Sequence, residues 1–553
     1  MNEQSSTHSP RPEERAESLP YWTVFLAAAI FYVCFFSHPD ALGLVGPDEP
    51  RYAAVAREMA ERGDWVTPHL NGRPWFEKPI LYYWTAALLF RVLGVNEFAA
   101  RLPSALAAAL AALILAWAGL RYYGWATARA VLLIFSTSVG TIGFARAATS
   151  DMLFTTALAA AMLAAYVVIE NARGPSAVGG LGSRRDAFTA RVAFGVFLGV
   201  ATLAKGPAAI VLAGGSAGLW ALATRRLREA FRLAHPLAIV SFCLIALPWY
   251  VLCAARNPGF LRTFVLAHNV ERYLTPVFRH EQPFWFFGPV LLLGLFPWAP
   301  LLGAVAHDAV RLWQQRRWTD SPGFFFAAWA IFPVVFFSFS KSKLPGYMLP
   351  VIPPLALLMA RVFTRASEEK PSLARWLMVS IGATFVALAA SVGYWLRRLP
   401  AESGLADLRW WSPWIALAIA GGIGVASLGL RHRPLAALLV TAILAAGLVE
   451  SANRQVLPRL DPFLSPRTQA RAALVRPEVR ENVSVYRLHR AWHYGLNFYL
   501  QRELPEWTTT AAPSGSVYTS AEGLAELIRQ GTQFAIVEHS SPRVWLVQIL
   551  SSP

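Results

Sequence analysis

Asp48 is held in a narrow frame. It follows Gly46-Pro47 and precedes Glu49-Pro50-Arg51, so two prolines restrict the backbone around this carboxylate. A carboxylate fixed in this way can stabilise positive charge or accept a proton. It can also cap the helix that starts there, since Asp is a good N-cap and Pro50 suits a first turn; the two roles are compatible. The same loop closes on Phe76-Glu77-Lys78-Pro79, just where the next apolar run begins. A lysine there either snorkels or meets a lipid phosphate. Lys205 lies between two apolar segments with no acidic neighbour in sequence, a costly position unless an anion or water is at hand. Lys341 and Lys343 stand in Lys-Ser-Lys-Leu-Pro-Gly-Tyr, 341–347. Phosphate chemistry suits this set, with the lysines as compact cations and Arg51 and Arg272 as bidentate donors. Glu77 and His268 are candidate ligands for Zn²⁺ or Mn²⁺, although hydrogen bonding within their loops explains them as well and two ligands do not make a site.

The elements that must position these residues are membrane helices. The chain has 553 residues, 55% hydrophobic and only 15% charged, with a mean hydropathy of +0.41; soluble domains carry about 25% charged residues. Apolar stretches of about 20 residues recur from 21 to 450, without the alternation of a barrel. The net charge of +17 would suggest nucleic acid in a soluble protein. Here basic cytoplasmic loops explain it, so nucleic acid is not expected as a partner. Cys34, Cys243 and Cys253 all lie in apolar segments and read as small core residues, not as a disulfide framework.

Basic residues mark alternate loops: Arg184 and Arg185; Arg225, Arg226, Arg228 and Arg232; Arg311, Arg316 and Arg317; Arg361, Arg365, Lys370 and Arg375; Arg431 and Arg433. Those loops are assigned to the cytoplasm with the tail 1–20. The loops 39–78, 256–282, 341–346 and 397–410, and everything after 450, then face outward. Lys341 and Lys343 are therefore on the side where the rule disfavours them. The parity works only if 103–122 and 125–146 do not both cross independently, which leaves about 13 spans. The first outer loop is read as carrying a short helix over Glu49–Arg62 that lies on the membrane surface. After 450 the composition turns polar. Strands are expected over 483–488 and 534–538 and a helix over 521–530, giving a small α/β domain over 451–553.

Gly-Pro-Asp-Glu-Pro-Arg-Tyr-Ala followed by Phe-Glu-Lys-Pro resembles the lipid A aminoarabinosyl transferases, within the protein-O-mannosyltransferase-like GT-C membrane glycosyltransferases. The likeness continues through Arg146–Asp151, Thr202–Pro207, His268–Tyr273 and Lys341–Tyr347, and covers most of the chain up to about residue 365. It implies an all-α polytopic membrane domain over 21–450 with a catalytic loop at 39–78, and a small periplasmic α/β domain at 451–553. It implies an undecaprenyl-phosphate donor of 4-amino-4-deoxy-L-arabinose, a lipid A phosphate acceptor at the periplasmic face of the inner membrane, resistance to polymyxin as the consequence, and a monomer that requires no cofactor. Asp48 and Asp151 are then the catalytic carboxylates. Arg51, Tyr52, Lys78, Lys205, Arg272, Lys341, Lys343 and Tyr347 bind substrate, and Glu77 with His268 remains the candidate zinc pair. Two other readings stay open: a polyprenyl-phosphate sugar transferase acting on protein or another glycan, and a lipid-linked sugar transporter. A transporter would show paired inverted halves, and the single elaborate loop near the N-terminus has no matching half.

Overall fold

The computed structural model describes residues 21–171, 184–264, 271, 273, 281–315, 321–399, 405–476, 483–508, 515–541 and 543–550. The tail 1–20 lies outside them. Among the described residues, eight helices are long and apolar enough to cross a membrane, and five shorter apolar helices accompany them. The helix Asp151–Asn171 is the innermost: 94% of its apolar window is buried. It is apolar all round, as a helix enclosed by other helices must be.

Of the segments 103–122 and 125–146, it is the second that does not run straight. It is two helices, Trp125–Ser136 and Val139–Ala145, bent by 62°. Side chains satisfy the backbone groups that such a break frees. Thr137 Oγ1 donates to the Leu133 carbonyl at 2.5 Å and Ser138 Oγ to that of Ile134 at 2.6 Å. Trp298 Nε1 donates to Thr137 Oγ1 at 3.0 Å. The segment 283–304 is likewise interrupted, between Phe287–Gly294 and Leu301–Gln314.

The C-terminal domain is a four-stranded mixed sheet in the spatial order Val483–Tyr486, Gly515–Thr519, Val544–Ile549, Phe534–Ser541. The first pair is parallel and the other two are antiparallel. Two of these strands and the helix Ala521–Arg529 were expected; Gly515–Thr519 and Val544–Ile549 were not. The domain grips the first loop. Arg467 binds Asp461 at 2.8 Å and Glu97 at 3.3 Å, and donates to the Asp40 carbonyl at 2.6 Å. Asp461 Oδ1 accepts from Gly43 N at 2.7 Å, and Tyr499 Oη accepts from Leu44 N at 2.8 Å and donates to Glu97 at 3.0 Å. The approach needs glycine at 43, where a Cβ would stand 2.0 Å from Ser465 Oγ.

This docking corrects one expectation. The first-loop helix, Asp48–Arg62, does not lie on the surface: it is buried from Glu49 to Met59. The helix Arg490–Tyr499 of the C-terminal domain and the helix Leu81–Leu93 pack against it, and Arg57 donates to the Phe498 carbonyl at 3.0 Å.

Candidate active site

Pro47 is the N-cap of the first-loop helix and makes no side-chain cap. Asp48 is the first helical residue and turns to Arg51, one turn on, at 2.6 Å. The carboxylate is half exposed while Arg51 is buried. Arg51 also binds Glu77 through both terminal nitrogens, at 2.9 and 3.2 Å. Aromatic rings surround its guanidinium: Tyr52 at 5.4 Å, Trp75 at 5.5 Å and Tyr494 of the C-terminal domain at 5.7 Å. Burial opposes the charge on Arg51, but Glu77, Tyr52 and Asp48 outweigh it and hold the guanidinium above its ordinary pKa. Burial, then Asp48 and Glu77, also raises the Tyr52 hydroxyl, which stays protonated. Three buried donors in this cluster, Arg51 Nε, Trp75 Nε1 and Tyr83 Oη, hydrogen-bond to no described residue.

A second cluster adjoins the first. Asp151 opens the innermost helix, and Lys205 ends the helix Arg184–Lys205 packed beside it. Their side chains form a short ion pair. Lys205 Nζ lies 5.3 Å from the ring of Phe154 and 5.6 Å from that of Tyr347. Gly346 brings the Lys341–Tyr347 segment against the Asp151 carboxylate. Lys78, the neighbour of Glu77, acts electrostatically on Asp151 and so links the clusters. Asp48, Arg51, Tyr52, Glu77, Lys78, Asp151, Lys205 and Tyr347 are thus gathered from segments far apart in the chain.

Other anticipated residues are placed differently. Lys343 is buried, and its ammonium donates to the carbonyls of Ser340 at 2.7 Å and Gln282 at 3.0 Å, which ties its own loop to the one that ends at 282. Lys341 is exposed and is held through its backbone N–H, which donates to Tyr273 O at 3.0 Å. Arg272 and His268 lie outside the described residues. Glu77 presents both oxygens to Arg51, a cation standing where a metal partner would have to approach. Among the described residues no three His, Cys, Asp or Glu side chains group as metal ligands. In this structure Glu77 therefore serves as the ion-pair partner of Arg51, and the other candidate ligand, His268, is outside the described residues.

The sequence reading missed the pair that locates both carboxylates. Glu49 accepts from Arg101 Nε at 3.0 Å and Nη2 at 2.7 Å, from Val45 N at 2.8 Å and from Ala148 N at 2.7 Å. Arg101 also donates to the carbonyls of Pro39, Leu42 and Gly43. Glu49 adjoins Asp48, and Ala148 lies in the turn that leads to Asp151, so one buried knot holds both. Arg101→Met leaves a buried carboxylate unpaired, and such losses cost about 3–5 kcal/mol. The variant should unfold at a markedly lower temperature in detergent; a wild-type melting curve would remove the knot from the folding argument.

The family model described as dolichyl-phosphate-mannose-protein mannosyltransferase matches residues 21–264. An undecaprenyl phosphate-alpha-4-amino-4-deoxy-L-arabinose arabinosyl transferase of Pectobacterium carotovorum is 30% identical over 86% of this chain and 88% of its own. That of Edwardsiella ictaluri is 33% identical over 62% of this chain and 60% of its own, so this match spans less than two thirds of that relative. The crystal structure of ArnT from Cupriavidus metallidurans bound to undecaprenyl phosphate superposes with a TM-score of 0.77, at 25% identity, over 96% of this chain and 99% of that one.

Proposed function

The chain belongs to the family of undecaprenyl phosphate-aminoarabinose arabinosyl transferases, and from that premise we propose that it carries 4-amino-4-deoxy-L-arabinose to a phosphate of lipid A at the periplasmic face of the inner membrane. It is a multi-pass membrane glycosyltransferase that uses a polyprenyl-phosphate sugar donor. The supporting observation is the convergence of Asp48–Arg51–Glu77, on the first-loop helix and the loop after it, with Lys78 and with Asp151–Lys205 at the ends of two membrane helices.

In the reaction the bond between the anomeric carbon and the undecaprenyl phosphate oxygen breaks, and an oxygen of the acceptor phosphate bonds to that carbon. The leaving phosphate gains a second negative charge. Preorganised cations stabilise that charge as it develops, and Lys78, Lys205 and Arg51 are assigned to it. The sugar centre has oxocarbenium character, and the half-exposed carboxylate of Asp48 stabilises it and orients the acceptor. A phosphate acceptor is already mostly ionised at neutral pH, with a second pKa near 6, so no base has to activate it. The products are undecaprenyl phosphate and cationic lipid A, which binds polymyxin and other cationic peptides less well.

The test is the mass added to lipid A when the protein is expressed in a host that lacks its own transferase: an added aminopentose is expected, and unmodified lipid A with an active, folded protein would defeat the reading. Sidedness has its own check. A cysteine at position 341 should react with an impermeant reagent from the periplasm and one at 185 only after the membrane is opened; the reverse would invert the assignment. Lys78→Ala should raise the KM for the sugar-lipid by about tenfold with little effect on that for lipid A, the loss expected of one charged contact. Unchanged donor kinetics would leave Lys78 a snorkelling lysine.

A further inference from the structure

We propose that a collar of arginines and aromatic rings at the site end of the last three membrane helices docks the phosphate-bearing headgroup of the acceptor lipid. The proposal rests on the reading that the acceptor is a phosphorylated lipid. The helices Pro371–Leu396, Leu408–Leu430 and Pro434–Ser451 pack in antiparallel succession: Gly382 meets Gly422 backbone to backbone, and Gly421 lies against Leu444. Their ends at 396, 408 and 451 therefore share one face. It is the face of the site, because Ser37 Oγ bonds Glu450 at 2.7 Å and Asp461 bonds Gly43.

On this end stand Tyr394, Trp395, Trp410 and Trp414. Tyr394 and Trp395 are more than half exposed, and Trp410 stacks with Trp414 at 6.2 Å. Arg398 covers the ring of Tyr394 at 4.7 Å and bonds its hydroxyl at 2.5 Å. Arg459 covers Trp410 at 4.8 Å. Arg397 and Arg409 are exposed beside them. Among the described residues none of these four pairs with a carboxylate: Asp407 bonds the Arg409 backbone N–H, and Glu450 holds Arg454. An aromatic belt alone would explain the rings. It does not explain four arginines on the face where basic residues are disfavoured. A guanidinium laid on a ring keeps donors for phosphate: Arg398 gives Nη2 to the Tyr394 hydroxyl and retains its other N–H groups.

The collar is also well placed. Arg459 and Asp461 share the helix Leu457–Leu464; one reaches Trp410 at the rim, the other Gly43, five residues before Asp48. A lipid arriving in the membrane plane meets the collar one short helix away from the catalytic loop.

The experiment uses the full-length protein in vesicles, with Arg398→Gln/Arg459→Gln and the matching double lysine variant. Acceptor and donor are varied in turn. The KM for lipid A should rise about tenfold or more in the glutamine variant, with the donor KM unchanged and partial recovery with lysine. An unchanged acceptor KM would overturn the proposal, as would an equal rise in the donor KM. Native mass spectrometry reads binding separately: wild type should retain phosphorylated lipid A over its dephosphorylated form, and the glutamine variant should lose that preference. If wild type binds with this preference yet transfers no sugar, the proposed function falls and the collar stands; if transfer proceeds with no such preference, the collar falls and the function stands.

Discussion

Asp48→Asn should lower turnover by roughly 10² to 10⁴-fold while leaving the protein folded. The substitution keeps the shape of the side chain and removes its charge. Stability should hardly change, because Asp48 is half exposed and exposed ion pairs contribute little. Arg51 keeps its second, better buried partner: Glu77 faces it with both oxygens. The helix start is also indifferent, since Pro47 and not Asp48 occupies the N-cap. Two roles for Asp48 remain, and the kinetics separate them. A carboxylate that stabilises the sugar cation acts in the transition state, so kcat and kcat/KM should fall together. One that only positions Arg51 against the leaving phosphate should raise the donor KM as well. The measurement is steady-state transfer by purified protein alongside its melting temperature. Near-normal turnover in a folded variant would take Asp48 out of the chemistry.

The candidate site residues were legible because their signals are local. Proline on both sides of a carboxylate, a Glu-Lys pair at the start of an apolar run, and a lysine between two apolar segments each stand out within a few residues. Most of those positions converge in the fold: Asp48, Lys78 and Lys205 belong to adjoining clusters. The Glu49–Arg101 knot was not read: Arg101 has an acidic neighbour in sequence, Glu97, so the argument that singled out Lys205 did not single it out. What hid it was its partner, 52 residues away, beside a more conspicuous aspartate. The clasp between Arg467, Glu97 and Tyr499 spans up to 402 residues and carries no periodicity at all. It converted an amphipathic stretch, 49–62, from an expected surface helix into a buried one. Lys343 shows the opposite case: a charge on an unexpected face suggested a ligand, and backbone carbonyls of two loops, at Ser340 and Gln282, occupy it.

Asp151 and Lys205 offer the sharper separation of fold from function. They join the start of the innermost helix to the end of its neighbour, and both side chains are largely buried. Removing one member of such a pair leaves an uncompensated charge at a cost of about 3–5 kcal/mol, whereas replacing both by neutral groups of similar size is often close to neutral. Asp151→Asn and Lys205→Met should each lower the melting temperature, and the double variant should regain most of the loss. A purely structural pair would regain activity with stability. A pair that meets substrate would not. Lys205 points its ammonium among Phe154, Tyr347 and Asp151, in the cluster that Lys78 adjoins. A donor phosphate drawn to Lys78 would find Lys205 as its second cation, with Asp151 holding that lysine in place. Expected turnover is therefore down at least about a hundredfold in all three variants, the double included. Recovery of transfer in the stable double variant would show that the pair only fastens two helices, and the second cation of the leaving phosphate would have to be sought elsewhere.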